Sequence, residues 1–136
     1  MAGTAFAASR FESGFRGVAW GTHKNRLPDM GLSKKSLKNI YKTGPSSVLF
    51  MEGKGNLAMD FDGILLLSIF LHFHDQVFCG ADLIFKPADR ELIYTIITIE
   101  MKSDGLPNVD GHRWQTTHLD ILLTDRELMI THKDHQ

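Results

Sequence analysis

One cysteine in 136 residues leaves no partner for an internal disulfide, so burial has to hold the chain together. Prolines number only four and form no repeat with the glycines, which excludes collagen-like and low-complexity architectures. Unbroken apolar runs reach only four residues, as at 64–67, where a spanning helix needs about 20. No transmembrane segment is expected. Neither sign of charge dominates, with 15 basic and 16 acidic side chains and a pI near 6.6. That balance, with no recognition motif beside it, argues against a nucleic-acid binder.

Catalytic signatures are missing too. Gly53-Lys54-Gly55 lacks the spacing of a phosphate-cradling loop and the hydroxyl residue after its lysine. There is no G-x-S-x-G elbow, no H-E-x-x-H and no S-x-x-K. Asn108, Asp110 and Gly111 fall in register with a calcium loop, but Leu106 and Thr117 stand where its first and last carboxylates belong. An EF-hand is excluded. With no triad, acid pair or phosphate loop, an enzyme is not the expected reading.

What is present suits one globular domain: 136 residues, 43% apolar, enough to build a core. The near-zero net charge hides an asymmetry. Residues 1–54 hold nine basic and three acidic side chains, a net of +6, and residues 55–136 hold six and thirteen, a net of −7. Lys24, Arg26, Lys34, Lys35, Lys38 and Lys42 make most of the basic stripe, which reads as a solvated face neutralised by the other half. Residues 1–8 are small and apolar, and Ala5-Phe6-Ala7 has the A-x-A form of a signal-peptidase site. No basic n-region precedes it, so these residues read as a signal-peptide remnant, or alternatively as a flexible N-terminus. The expected location is periplasmic or secreted, with cytoplasmic as the alternative.

Periodicity gives the rest, residues 9–136, as a single α+β domain. Residues 15–20 read as a short strand, and Thr22 as the N-cap of a brief helix from His23. Further strands are expected at 37–42, 48–51 and 56–61, with turns at 44–47, 53–55 and 62–63. The centre is a long hairpin of residues 64–74 and 78–85. Its first strand puts Leu65, Leu67, Ile69, Leu71 and Phe73 on one apolar face, opposite Ile64, Leu66, Ser68, Phe70, His72 and His74. A three-residue turn at 75–77 pairs apolar with apolar across the hairpin, whereas a two-residue turn mixes the faces. Residues 88–104 carry a helical stripe with acids at the start, closed by Gly105 and Pro107. A loop at 108–111, a strand at 114–123, a turn at Asp125-Arg126 and a strand at 128–132 complete an antiparallel sheet with one main helix on one face.

The opening Phe15-Arg16-Gly17-Val18-Ala19-Trp20-Gly21-Thr22 resembles the F-x-G-x-x-W-G-T start of small exported bacterial domains of unknown function. The order of the later elements is similar over most of residues 15–132. Gln76 departs from the glycine usual at the hairpin turn, and the helix is richer in isoleucine than that group's. The resemblance implies export and a fold, and no chemistry.

Two surfaces remain as candidate sites. His72 and His74 project to the same side of one strand, where imidazoles suit zinc or copper. Asp82 on the neighbouring strand or His118 from the late strand would complete the ligand set. His132, Asp134 and His135 form a separate loose cluster. Cys79 falls on the face opposite His72, so a Cys–His nucleophile is not expected. The second surface is the mixed hairpin face, with Ile64, Leu66, Phe70 and Ile84 as a candidate interaction patch for a protein partner or for self-association. The reading that results is a non-catalytic binding or assembly module without a cofactor, with a periplasmic transition-metal binder using the strand histidines as the alternative.

Overall fold

Alternating side chains in the middle of the chain build a broad sheet, and the main helix and the opening segment join the core on its inner face. A computed structural model describes residues 9–27, 37–43, 46–51 and 59–135. The expected features at 1–8, 28–36, 44–45 and 52–58 lie outside them. These comprise the signal-like start, part of the basic stripe, the turn at 53–55, and half each of the turn at 44–47 and the strand at 56–61.

A single helical turn α1 (Arg10–Ser13) leads into a small hairpin, β1 (Gly14–Phe15) and β2 (Val18–Ala19). The strand expected at 15–20 is therefore two strands folded at Arg16-Gly17. A 3₁₀ turn Lys24–Arg26 follows, capped by the His23 ring, which accepts from Asn25 N at 3.1 Å. Thr22 instead donates its hydroxyl back to Ala19 O at 2.7 Å, so it is not the cap. Then come β3 (Leu37–Thr43), β4 (Ser46–Met51), the short hairpin β5 (Asp60–Phe61) and β6 (Ile64–Leu65), β7 (Ser68–His74) and β8 (Val77–Ile84). Helix α2 (Arg90–Met101) is entered through a 3₁₀ turn Pro87–Asp89, and β9 (Leu106–Asn108), β10 (Gly111–Gln115), β11 (Leu119–Leu123), β12 (Glu127–His132) and a last 3₁₀ turn Lys133–His135 end the fold. Eight strands form one antiparallel sheet in the order β3-β4-β7-β8-β12-β11-β10-β9. The result is an α+β fold of mostly antiparallel sheet with one main helix. Among the described residues no helix is long and apolar enough to cross a membrane.

The central hairpin departs from expectation at both ends. At its start the strand breaks at Leu66-Leu67, which shifts the alternation by one. Ile64 and Leu66 are buried in the core at 6% and 3% exposure, and Leu65 and Leu67 face outward at 62% and 52%. At its tip the turn has two residues, Asp75 and Gln76, both with positive φ (50° and 67°), as a type I′ hairpin turn demands. His74 pairs Val77 and Phe73 pairs Phe78, then Cys79 is left unpaired as a bulge and His72 pairs Gly80. From there Leu71 meets Ala81 and Ile69 meets Leu83, the pairing that a three-residue turn implies. The bulge supplies the residue the turn lacks.

Other elements stop for local reasons. Helix α2 closes at Lys102 in the left-handed region (φ 55°), with Lys102 N donating to Ile99 O and Ser103 N to Thr98 O. That is a Schellman closure, three residues before the expected glycine. Gly105 serves instead to let the chain pass close to a ring. A Cβ there would lie 2.6 Å from the Trp114 side chain, whose Nε1 donates to Ser103 O at 2.8 Å. The strand expected at 114–123 is interrupted because Thr116 Oγ1 accepts from His118 N and Leu119 N and turns the chain. The loop expected at 108–111 is the tip of the β9–β10 hairpin.

The inner sheet face carries Ile69, Leu71, Phe73, Ala81, Leu83, Leu119, Ile121, Leu123, Leu128 and Ile130, all at most 1% exposed. Ile93 and Ile97 of α2 and the aromatic side chains of the opening segment close over it in one cluster. Leu92 and Ile99 of α2 face away, at 55% and 70% exposure.

Candidate functional site

The expected metal set does not come together. His72 Nε2 meets Asp82 Oδ2 at 2.7 Å across the β7–β8 pair. His74 turns to its own neighbours, with Nδ1 3.4 Å from Ser46 Oγ and Nε2 3.7 Å from Asp75 Oδ2. His118 is far from both. It precedes β11, and β8 and β12 lie between β11 and β7, a separation of three strand spacings or about 14 Å. The set is thereby divided: His72 and Asp82 pair with each other, and His118 belongs elsewhere.

The proposed interaction patch is divided as well. Ile64 and Leu66 are core residues because of the strand break, and are withdrawn from it. Phe70 and Ile84 stay on the outer sheet face, both half-buried. The register places Phe70, Asp82, Met129 and Leu122 in one row across β7, β8, β12 and β11, and Ser68, Ile84 and Glu127 in the next. All are half-buried, while the opposite face of the same strands is closed. Asp82 and Glu127 are diagonal neighbours on this face. The Glu127 carboxyl is pushed above the usual carboxylate range, first by burial and then by the Asp82 charge, against a smaller opposing effect of His72. Further along, Arg113 clamps Asp120 with two hydrogen bonds, 2.8 and 2.5 Å, and holds that carboxyl low.

Cys79 points into the protein, 6% exposed, with Sγ donating to His72 O at 3.6 Å. Burial pushes its thiol up to about 11, so it stays protonated at neutral pH and inert.

At the other end of β12 a set of rings has collected. His132 lies parallel to His118, ring centroids 5.9 Å apart with 6° between planes, and 5.0 Å from His135. Trp20 backs His132 at 5.9 Å and in turn meets Phe78 at 4.8 Å. Asp134 Oδ2 stands 2.6 Å from His118 Nδ1. One ligand atom each from His118, His132 and Asp134 lie within 4.8 Å of one another, and no other such trio occurs among the described residues. His132 is 8% exposed, and its Nδ1 finds no hydrogen-bond partner. Its imidazole is held below the usual histidine range, chiefly by burial.

The opening motif turns out to hold this corner together. Trp20 Nε1 donates to Phe11 O at 2.7 Å, and Phe15 and Val18 are buried. Gly21, at φ 88°, admits the His135 ring, whose atoms lie 2.9 Å from where a Cβ would be. A cleft of about 660 Å³ opens on the far side of the same segment, between Arg10, Phe15, Arg16 and Asp60–Phe61. Arg10 there is engaged by Asp62 at 2.8 and 2.7 Å, and Arg16 Nη1 donates to Asp60 O at 3.0 Å.

Neither a family model, nor a curated protein, nor a solved structure matches this chain.

Proposed function

We propose that this protein is a binding module without covalent chemistry of its own, and that the outer sheet face receives a cationic, apolar-flanked segment of a partner protein. One observation carries the reading. Asp82 and Glu127 place two carboxylates diagonally between Phe70, Ile84 and Met129, and the Glu127 carboxyl is raised first by burial and then by the Asp82 charge. A lysine or arginine set between them relieves that repulsion, while the flanking side chains offer the apolar contact an interface core needs. A partner of opposite charge pattern is disfavoured by the same carboxylates. Export remains part of the proposal on the strength of residues 1–8, and N-terminal sequencing from the native host tests it.

The face is tested by amide chemical-shift mapping with two synthetic peptides. One carries lysine between two phenylalanines, and the other carries glutamate in that place. The lysine peptide is expected to move the amides of Phe70, Asp82, Glu127 and Met129, and to lose this effect in Phe70→Asp. Equal response to both peptides, or shifts elsewhere on the molecule, overturns the reading.

A further inference from the structure

We propose that His118, His132 and Asp134 form a binding site for a zinc-class divalent metal ion, independent of the outer sheet face. The three residues come from three places in the fold. His118 is held in the turn that Thr116 folds before β11, where His118 N donates to Thr116 Oγ1 at 3.3 Å. His132 ends β12, and Leu119 pairs directly with it across the β11–β12 ladder. Asp134 sits in the closing 3₁₀ turn, which is anchored by Lys133 N donating to His118 O at 2.8 Å. That last bond ties the turn carrying Asp134 to the residue that supplies the first imidazole. The backbone therefore fixes the trio before any ion arrives.

The donor set fits the ion. Two imidazole nitrogens and one carboxylate oxygen are the ligands of an open zinc site, with the fourth position left to water. Ligand atoms around a tetrahedral zinc at about 2.0–2.1 Å stand about 3.3 Å apart. The trio, all within 4.8 Å, needs only a small contraction, while the His118–Asp134 contact at 2.6 Å has to open slightly. A metal-bound imidazole carries its one proton on the nitrogen that does not bind the ion, so loading through Nδ1 replaces the proton of that hydrogen bond and leaves the ring N–H on Nε2.

The surroundings are those of a ligand site rather than of a surface ion pair. His132 is more than nine-tenths buried and has a ring nitrogen with no partner, in a protein interior where such groups are nearly always satisfied. Its ring is walled by Trp20 on one side, which restrains the imidazole without hydrogen-bonding to it. His118 and Asp134 are about half exposed, at 51% and 50%, so an ion has a path in. His135, over His132 and under Gly21, closes the back of the group.

Isothermal titration of zinc chloride into the full chain, stripped of metal by chelator, tests the site. One ion per chain is expected. The exposed ligands are the ones to change, since His132→Ala risks the core. His118→Ala and Asp134→Asn are each expected to weaken zinc by at least tenfold, while the His72→Ala/His74→Ala double variant binds as the parent does. Cobalt(II) gives a second readout: visible absorption of a low-symmetry N,O site should appear in the parent and vanish in His118→Ala. Absence of saturable binding overturns the proposal. So does binding that survives in both ligand variants with their circular dichroism unchanged, or binding that is lost with His72 and His74.

Discussion

His72 and His74 stand two residues apart on one strand, whereas His118, His132 and His135 come from a turn, a strand end and a terminal 3₁₀ turn. The first group looks like a site in the sequence because alternation puts both rings on one face. In the fold each ring is answered by a different neighbour, Asp82 for one and Ser46 with Asp75 for the other. The second group is announced in the sequence only by its last members, yet its rings stack and His118 meets the Asp134 carboxylate. Strand period places side chains on a side of a sheet. Convergence needs a second element crossing at the right height, and among the described residues the end of β12 has one.

The sharpest way to separate the two groups is through their walls. Trp20→Ala removes the ring that backs His132 and caps Phe78, and is expected to cost about 3–5 kcal/mol, read from urea unfolding. A loss as small as that of a surface substitution breaks the comparison, because the second group then has no rigid wall. Gly21→Ala is next, at about 1 kcal/mol or more, since the position has positive φ and no room before His135. Combining it with His135→Ala should recover the steric part and leave the backbone part. On the first group, a double-mutant cycle between His72→Ala and Asp82→Ala should give a coupling below about 1 kcal/mol, as for a partly exposed pair. A larger coupling makes the strand pair a structural element in its own right.

The smallest effect is a matter of pH. The Glu127 carboxyl is raised in the fold, first by burial, so its protonated form is the one the fold prefers. Its contribution to stability is present below the ordinary carboxyl range and is lost as pH rises through the raised value. Glu127→Gln is therefore expected to raise the urea midpoint at pH 7, with the gain shrinking toward pH 4. Midpoints that differ equally at both pH values would place the effect in packing instead.

How much of this was legible before folding depends on whether a local rule decided it. β3, β4, β8 and β12 follow from alternation and their flanking turns, and α2 from its apolar stripe and the proline at its entry. Three of the misses share a cause: a break made without glycine or proline. Leu66-Leu67 interrupts an all-apolar run, Thr116 turns the chain with its own hydroxyl, and Lys102 takes a left-handed conformation ordinarily left to glycine. The first of these moved Ile64 and Leu66 from a surface patch into the core. In the metal trio, His132 and Asp134 were visible as near neighbours in sequence. His118 was not, because its place beside them is set by the β11–β12 register.

The bulge at Cys79 has a consequence for how this hairpin tolerates changes in length. A two-residue turn plus one unpaired residue delivers the same core register as a three-residue turn with none. Insertion of a residue between Asp75 and Gln76 together with deletion of Cys79 should therefore preserve every pair from His72–Gly80 onward. Deletion of Cys79 alone should keep the same pairs, because Phe73–Phe78 and His72–Gly80 then follow one another with no unpaired residue between them. The lone cysteine marks the spot where this hairpin can give up a residue without turning Leu83, Ala81 and their row outward.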